Sequence, residues 1–390
     1  MPCHYTAFFV RRQLFLREFR KNTCKFPKNK IYYEYLHARQ RVFSTERPLP
    51  ILIKSGVFMK IWQLTSTKHL QRTTAPDLKI SPTTAKVKIT KALLSETDVA
   101  AFVGTLKTHL PIVLGRFAIG QVTEAGAESF MNKGDRVYLA SVTENELSPD
   151  GLETAGQTKD GFYRDFTIVD ETQAFVLPSS VSDEAAFLID AVALAEKVVE
   201  EMNISVGQHV LVLGGGLYGN IMCQILIYHR AVPILIDNND ERLARAKKSG
   251  IYYTFHFDET LKENVLNVTG GKSADGAIYL AFNNRIEPSA VFHFLARDTF
   301  VAFCSLVEKP LTVNLENALK NNIVIKGITE CREHVASAIN ILANKEVSFH
   351  AFPYVYHAEE ELPQKMEEFA SLLTSGGSLP EEMDVFKFIF

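Results

Sequence analysis

The stretch His209-Val210-Leu211-Val212-Leu213-Gly214-Gly215-Gly216-Leu217-Tyr218-Gly219 decides the fold. An apolar run enters a glycine turn and continues into residues 220–229, which are apolar and permissive for helix. A second apolar run, Pro233-Ile234-Leu235-Ile236, ends on Asp237, 18 residues past Gly219. The pattern is strand, turn, helix and returning strand, a whole βαβ unit. Gly214 permits the tight turn out of the strand, Gly216 lets the backbone approach a pyrophosphate, and Gly219 lets the helix lie close on the sheet. Free N–H groups at the start of the helix, at Leu217 and Tyr218, suit an anion.

Asp237 stands where a carboxylate accepts hydrogen bonds from the adenosine ribose and repels a 2′-phosphate, which favours NAD(H) over NADP(H). Arg242, five residues on, could stack on the adenine ring or stand solvated on a polar helix face. Glycine turns also close strand–helix corners that bind nothing. Here strand, helix and acidic terminus all sit at the required spacing, and dinucleotide binding is the stronger reading.

Outward from this unit the α/β alternation continues. A helical pattern over 182–202 precedes it; strands at 277–280, 300–303 and 323–328, with a helix segment at 290–295, follow it. That is a doubly wound parallel sheet. Residues 60–91 carry short alternating runs such as Ala85-Lys86-Val87-Lys88-Ile89, and strands separated by glycine turns dominate as far as 169, with little helix. This part reads as a small β-rich domain. Residues 333–343 and 359–373 read as amphipathic helices and 384–390 as a closing strand.

The chain has 390 residues, 46% apolar and 22% charged, which is ordinary globular composition with room for two domains. No apolar run approaches the roughly 18 residues of a membrane span. The net charge of −3 points to no nucleic-acid partner, but the charge is uneven. Residues 1–58 hold 12 Lys/Arg against 3 Asp/Glu, leaving 30 against 42 for the remainder. That basic extension reads as an organellar presequence, a basic arm, or an upstream reading of the gene in front of a start at Met59, and the last is favoured because the first strand pattern begins at Met59. Cys3, Cys24, Cys223, Cys304 and Cys331 form no C-x-x-C pair. Reduced thiols and a cytoplasmic location are expected.

From Met59 onward the chain resembles the medium-chain dehydrogenase/reductase superfamily, in particular its zinc-type alcohol and polyol dehydrogenase branch. Ile112-Val113-Leu114-Gly115, Gly134-Asp135-Arg136-Val137, Gly161-Phe162, Ser182-Asp183-Glu184-Ala185-Ala186 and the Gly214–Gly219 loop carry the resemblance. It implies a GroES-like β substrate domain over 59–185, completed by 331–390, and a Rossmann domain over 186–330. It also implies hydride transfer in the cleft between them and a homo-dimer or homo-tetramer.

The zinc pattern fails. Where the branch has a cysteine before x-Thr-Asp, this chain has Ser95; where it has Gly-His-Glu, this chain has Gly115-Arg116-Phe117; the third ligand position corresponds to Asp190. One carboxylate survives out of three ligands, and arginine has no lone pair to give, so no zinc is expected. The structural zinc lobe is missing too, since 137–161 holds no Cys or His. An Arg116–Asp190 ion pair is expected at the former metal position. Its bland reading is a salt bridge filling a vacated hole. Its functional reading has Arg116 stabilising developing alkoxide charge with Thr97 relaying the proton, as that residue's counterpart does in the branch.

The resulting expectation is an NAD(H)-dependent, zinc-independent oxidoreductase of a small alcohol, polyol or carbonyl. Its rival is an inactive dinucleotide-binding structural or regulatory protein. His109 reads as a surface histidine, Tyr163 as packing rather than a residue facing the cleft, and His209 as a satisfied buried histidine rather than a base. A mass measurement of the protein made from its native gene is expected to exclude Arg11 and Arg12; a mature mass that includes them overturns the late start.

Overall fold

A computed structural model describes residues 58–144, 152–280, 286, 288–304, 315–329, 331–348, 352–375 and 383–388. The basic amino-terminal stretch lies outside the described residues, apart from Phe58.

The first part of the chain is β-rich. Strands β1 (Phe58–Ser66), β2 (His69–Pro76) and β4 (Ile112–Val113) form one sheet in the order β2-β1-β4. A second sheet is built on β3 (Ala85–Leu93), β5 (Phe117–Ala125), β6 (Arg136–Leu139), β9 (Phe166–Val169) and β10 (Ala174–Val176); β7 (Val142–Glu144) and β8 (Leu152–Thr154) make a short hairpin. Between β3 and β4 lies a helix that the sequence reading passed over, α1 (Glu96–Val103). Its signal is present in Ser95-Glu96-Thr97-Asp98: Ser95 caps the Asp98 N–H, and the Asp98 side chain returns to the Ser95 N–H, a complete capping box. Gly104 in the left-handed region ends it.

The pattern over 182–202 is two helices rather than one. α2 (Asp183–Ala186) starts on the Ser182 cap and stops at Phe187, and α3 (Ile189–Glu201) follows. Then comes a six-stranded, wholly parallel sheet of β11 (His209–Leu213), β12 (Val232–Ile236), β13 (Tyr253–Phe255), β14 (Ala274–Tyr279), β15 (Leu295–Phe303) and β16 (Val324–Gly327). Its order is β13-β12-β11-β14-β15-β16, the doubly wound order of a Rossmann fold. Around it lie α4 (Leu217–Tyr228), α5 (Asp240–Lys248), α6 (Leu261–Val268), a 3₁₀ turn (Pro288–Phe294), α7 (Glu316–Lys320) and α8 (Val335–Ala343).

Strands covered on both faces are apolar at every position. Along β11, Val210 and Val212 join the core beneath α3, α4 and α8, and Leu211 and Leu213 join the opposite core with Leu261 and Val265 of α6. All four are at most 1% exposed.

After α8 the chain returns to the β-rich part. β17 (Tyr354–Ala358) pairs with β18 (Met383–Lys387), which pairs with β3, and α9 (Leu362–Thr374) packs on α1. α8 instead lies on α3. The two late strands are pinned by a buried pair, His357 Nε2 to Asp384 Oδ1 at 2.7 Å, with Phe386 stacked on the imidazole. Removing one member of such a pair leaves the other buried without its partner. Asp384→Ala is therefore expected to destabilise the protein by about 3 kcal/mol, read as a lower urea midpoint.

Candidate active site

The sheet order reverses between β11 and β14, so the crevice above their carboxyl ends opens there. Gly214, φ 110°, turns the chain out of β11. At Gly219 a side chain is excluded outright, since a Cβ would stand 1.7 Å from the Gly214 carbonyl oxygen. Helix α4 thus sits hard against the turn. Its N-cap is Gly216, no side chain caps it, and its first turn holds no acid, so its leading N–H groups are free for an anion. A Cβ on Gly216 would meet nothing within 4 Å. The loop offers a dinucleotide pyrophosphate the open backbone approach that it requires.

Asp237 ends β12 as expected, but it is fully buried. Its Oδ2 accepts the Gly215 N–H at 2.6 Å and its Oδ1 the Asn239 N–H at 2.8 Å, with Arg242 Nη1 3.5 Å away. The carboxylate braces the glycine loop from behind. Arg242, not Asp237, reaches the cavity wall.

That cavity holds about 310 Å³. It brings Thr97, Arg116 and Asp190 together with Gly214, Gly216, Leu217, Tyr218, Gly219 and Arg242, residues spread over 146 positions of sequence. Thr97 comes from the first turn of α1, its Oγ1 2.8 Å from Ser95 Oγ. The buried Asp98 anchors this corner. It accepts from the Gly115 N–H at 3.0 Å, from Ser95 Oγ at 2.5 Å and N–H at 3.1 Å, and from the Tyr163 hydroxyl at 3.2 Å. Burial raises its pKa in spite of these donors. Tyr163 is accordingly a packing residue inside the fold, and His109 is exposed. His209 is partly exposed, with its ring 3.8 Å from Asp275.

The expected Arg116–Asp190 ion pair does not form. Asp190 Oδ2 accepts the Tyr218 hydroxyl at 2.9 Å, and the Cys331 thiol lies 3.6 Å from Oδ1. A phenol arriving on the first turn of α4 takes the carboxylate, and no sequence correspondence within the zinc branch foretells it. Arg116 stands 5.7 Å from the Phe117 ring centroid and has no hydrogen-bond or ion-pair partner among the described residues.

Sequence reading also missed Tyr138, buried beside this cluster. Burial, reinforced by the Asp190 charge, raises the pKa of both Tyr138 and Tyr218 far above the usual phenol value, and Arg116 opposes this in each. Both stay protonated donors at neutral pH. The Cys304 thiol, also on the wall, is pushed up to about 12 by burial, with Glu201 adding to it.

Residues 81–179 match the alcohol dehydrogenase GroES-like domain. The chain is 24% identical to an L-threonine 3-dehydrogenase of Coxiella burnetii (strain Dugway 5J108-111) over 281 residues, which cover 65% of this chain and 79% of that protein. A zinc-binding dehydrogenase from Sinorhizobium meliloti 1021, bound to NADP, superposes with TM-score 0.73 at 17% identity, covering 85% of this chain and 100% of that one. An alcohol dehydrogenase from Escherichia coli CFT073, complexed with NADH, superposes with TM-score 0.74 at 19% identity and the same coverage. Residues 81–179 are thus an alcohol dehydrogenase GroES-like domain, and the chain as a whole has the fold of these dehydrogenases.

The zinc-type branch that the sequence resembles implies a metal at Ser95, Arg116 and Asp190. The donor set does not fit one. The Ser95 hydroxyl is spent on Asp98, and a guanidinium has no lone pair. Among the described residues no three His, Cys, Asp or Glu side chains converge as a metal site. Nor is any described helix long and apolar enough to cross a membrane.

Two glycine substitutions separate folding from binding. Gly219→Ala is expected to cost several kcal/mol through the backbone clash, seen as a large drop in Tm. Gly216→Ala is expected to leave Tm nearly unchanged and to weaken dinucleotide binding about tenfold, measured by nucleotide fluorescence.

Proposed function

We propose that this protein is an NAD(H)-dependent oxidoreductase that needs no zinc and interconverts a small alcohol or polyol with its carbonyl partner. The single observation that carries the reading is one cavity shared by an open glycine loop and the Thr97, Arg116 and Asp190 side chains. The nicotinamide ring, when bound, supplies the hydride acceptor or donor.

The chain's own residues divide the remaining work. Gly214, Gly216 and the N–H groups of Leu217, Tyr218 and Gly219 hold the pyrophosphate, with Arg242 beside the adenosine end. Asp237 keeps a negative charge behind Gly215, which disfavours a 2′-phosphate. Thr97, hydrogen-bonded to Ser95, whose hydroxyl donates to Asp98, relays the proton between the substrate oxygen and the Asp98 carboxylate, each hydroxyl giving up one proton as it takes another. Arg116 provides the positive charge toward which an alkoxide develops, the part played by a metal in the zinc enzymes. Asp190 is the positioning residue, fixing the Tyr218 hydroxyl and hence the first turn of α4. The buried side chains of Leu93, Phe117, Phe187 and Leu194 exclude water and strengthen these interactions. A homo-dimer or homo-tetramer in the cytoplasm belongs to the same reading.

Titration of the purified protein with NADH and NADPH is the test, and NADH-selective binding is the expected result. Asp237→Asn is expected to narrow that preference about tenfold. Thr97→Val and Arg116→Met are each expected to lower turnover about 10²-fold with NADH affinity retained. No binding of either nucleotide overturns the reading.

A further inference from the structure

The guanidinium of Arg116, with no hydrogen-bond or ion-pair partner among the described residues, is the feature of the cavity that the proposed reaction does not fully use. Arginine keeps its proton at any accessible pH, and a half-buried one normally ends against a carboxylate. Two buried or half-buried acids of this corner already hold other donors. Asp98 takes four donors, and Asp190 is held by Tyr218 and Cys331. The other arginines on the wall are engaged: Arg332 donates to the Thr172 carbonyl, and Arg242 lies 3.5 Å from Asp237. Glu96, also on the wall, is exposed at the start of α1.

We infer that the substrate brings the missing anion, and that Arg116 binds the carboxylate of a small 2-hydroxy acid or its 2-oxo partner. The inference rests on the cavity being the substrate site and names the substrate class. The 3.0 Å bond from the Gly115 N–H to Asp98 ties the Arg116 backbone to the start of α1, so Arg116 and Thr97 each stand one residue from that bond. A substrate reaching both carries its anion beside its reacting oxygen. The guanidinium fork presents parallel N–H groups whose spacing suits two carboxylate oxygens, or one of them and an adjacent hydroxyl oxygen. The apolar wall of Leu93, Phe117, Phe187 and Leu194 accepts the remaining short chain.

The test uses the full chain, with and without NADH, and three probes: 2-hydroxybutanoate, its uncharged isostere 2-hydroxybutanamide, and butanoate. Affinities are read by calorimetry and saturation-transfer NMR. The hydroxy acid is expected to bind at least about tenfold more tightly than the amide, with butanoate weaker than the hydroxy acid. Arg116→Met is expected to erase the preference for charge, and Arg116→Lys, which keeps the charge without the fork, to retain part of it. Should the Met variant not fold, Arg116→Gln takes its place.

Equal binding of acid and amide, or an undiminished preference in a folded variant, overturns the inference. So does a variant that loses NADH affinity but keeps acid binding, because the guanidinium then belongs to the dinucleotide. Butanoate binding as tightly as the hydroxy acid overturns the adjacent placement. An Arg116-dependent preference for the acid in a protein that binds no NADH supports the inference while defeating the dehydrogenase reading.

Discussion

The contact between Gly219 and the Gly214 carbonyl oxygen governs the arrangement of this protein. Any side chain at Gly219 would push α4 off the turn and lift its N-terminus away from the carboxyl edge of the sheet. With hydrogen there, the helix begins directly over the crevice between β11 and β14. Its free N–H groups and its second residue, Tyr218, then face one cavity. The phenol reaches Asp190 only because of that approach, so the glycine contact sets the glycine loop and the polar corner of the cavity together.

The acids around Arg116 are met by other groups. Asp190 is satisfied by neutral donors, Asp98 by a capping box, a backbone amide and a phenol, and Asp237 by the loop it braces. None of the three draws in Arg116. A fixed positive charge is left on an apolar wall, where the low dielectric makes it act strongly on whatever oxygen approaches. In the zinc-type branch that the sequence resembles, a metal-binding histidine holds the position of Arg116, and the exchange of a lone-pair donor for a fixed charge comes from one residue.

Much of this was legible in the sequence. Gly214 to Asp237 identified the parallel sheet because strand alternation, helix permissiveness and glycine spacing are local properties. The capping box at Ser95 to Asp98 was equally local, and α1 was overlooked only because the surrounding strand signals were stronger. The break between α2 and α3 left no mark in the pattern, since Phe187 and Leu188 are apolar and keep the helical period. The Arg116–Asp190 pair was inferred from two opposite charges assigned to one place. Proximity in a lost metal site does not say which donor arrives first, and a tyrosine from α4 did.

The amino-acid sequence by itself determined the strand and helix order, the glycine loop, the acidic end of β12 and the absence of zinc donors at Ser95 and Arg116, because these depend on residue type and short spacing. Only the tertiary structure decided which groups meet. It turned Asp237 inward under Gly215, brought Cys331 and Tyr138 beside Asp190, and left Arg116 with no hydrogen-bond or ion-pair partner among the described residues. Such outcomes follow from how the packed cores and a returning carboxyl-terminal segment close around one cavity, where contacts bridge 22 to 141 residues and no local pattern records them.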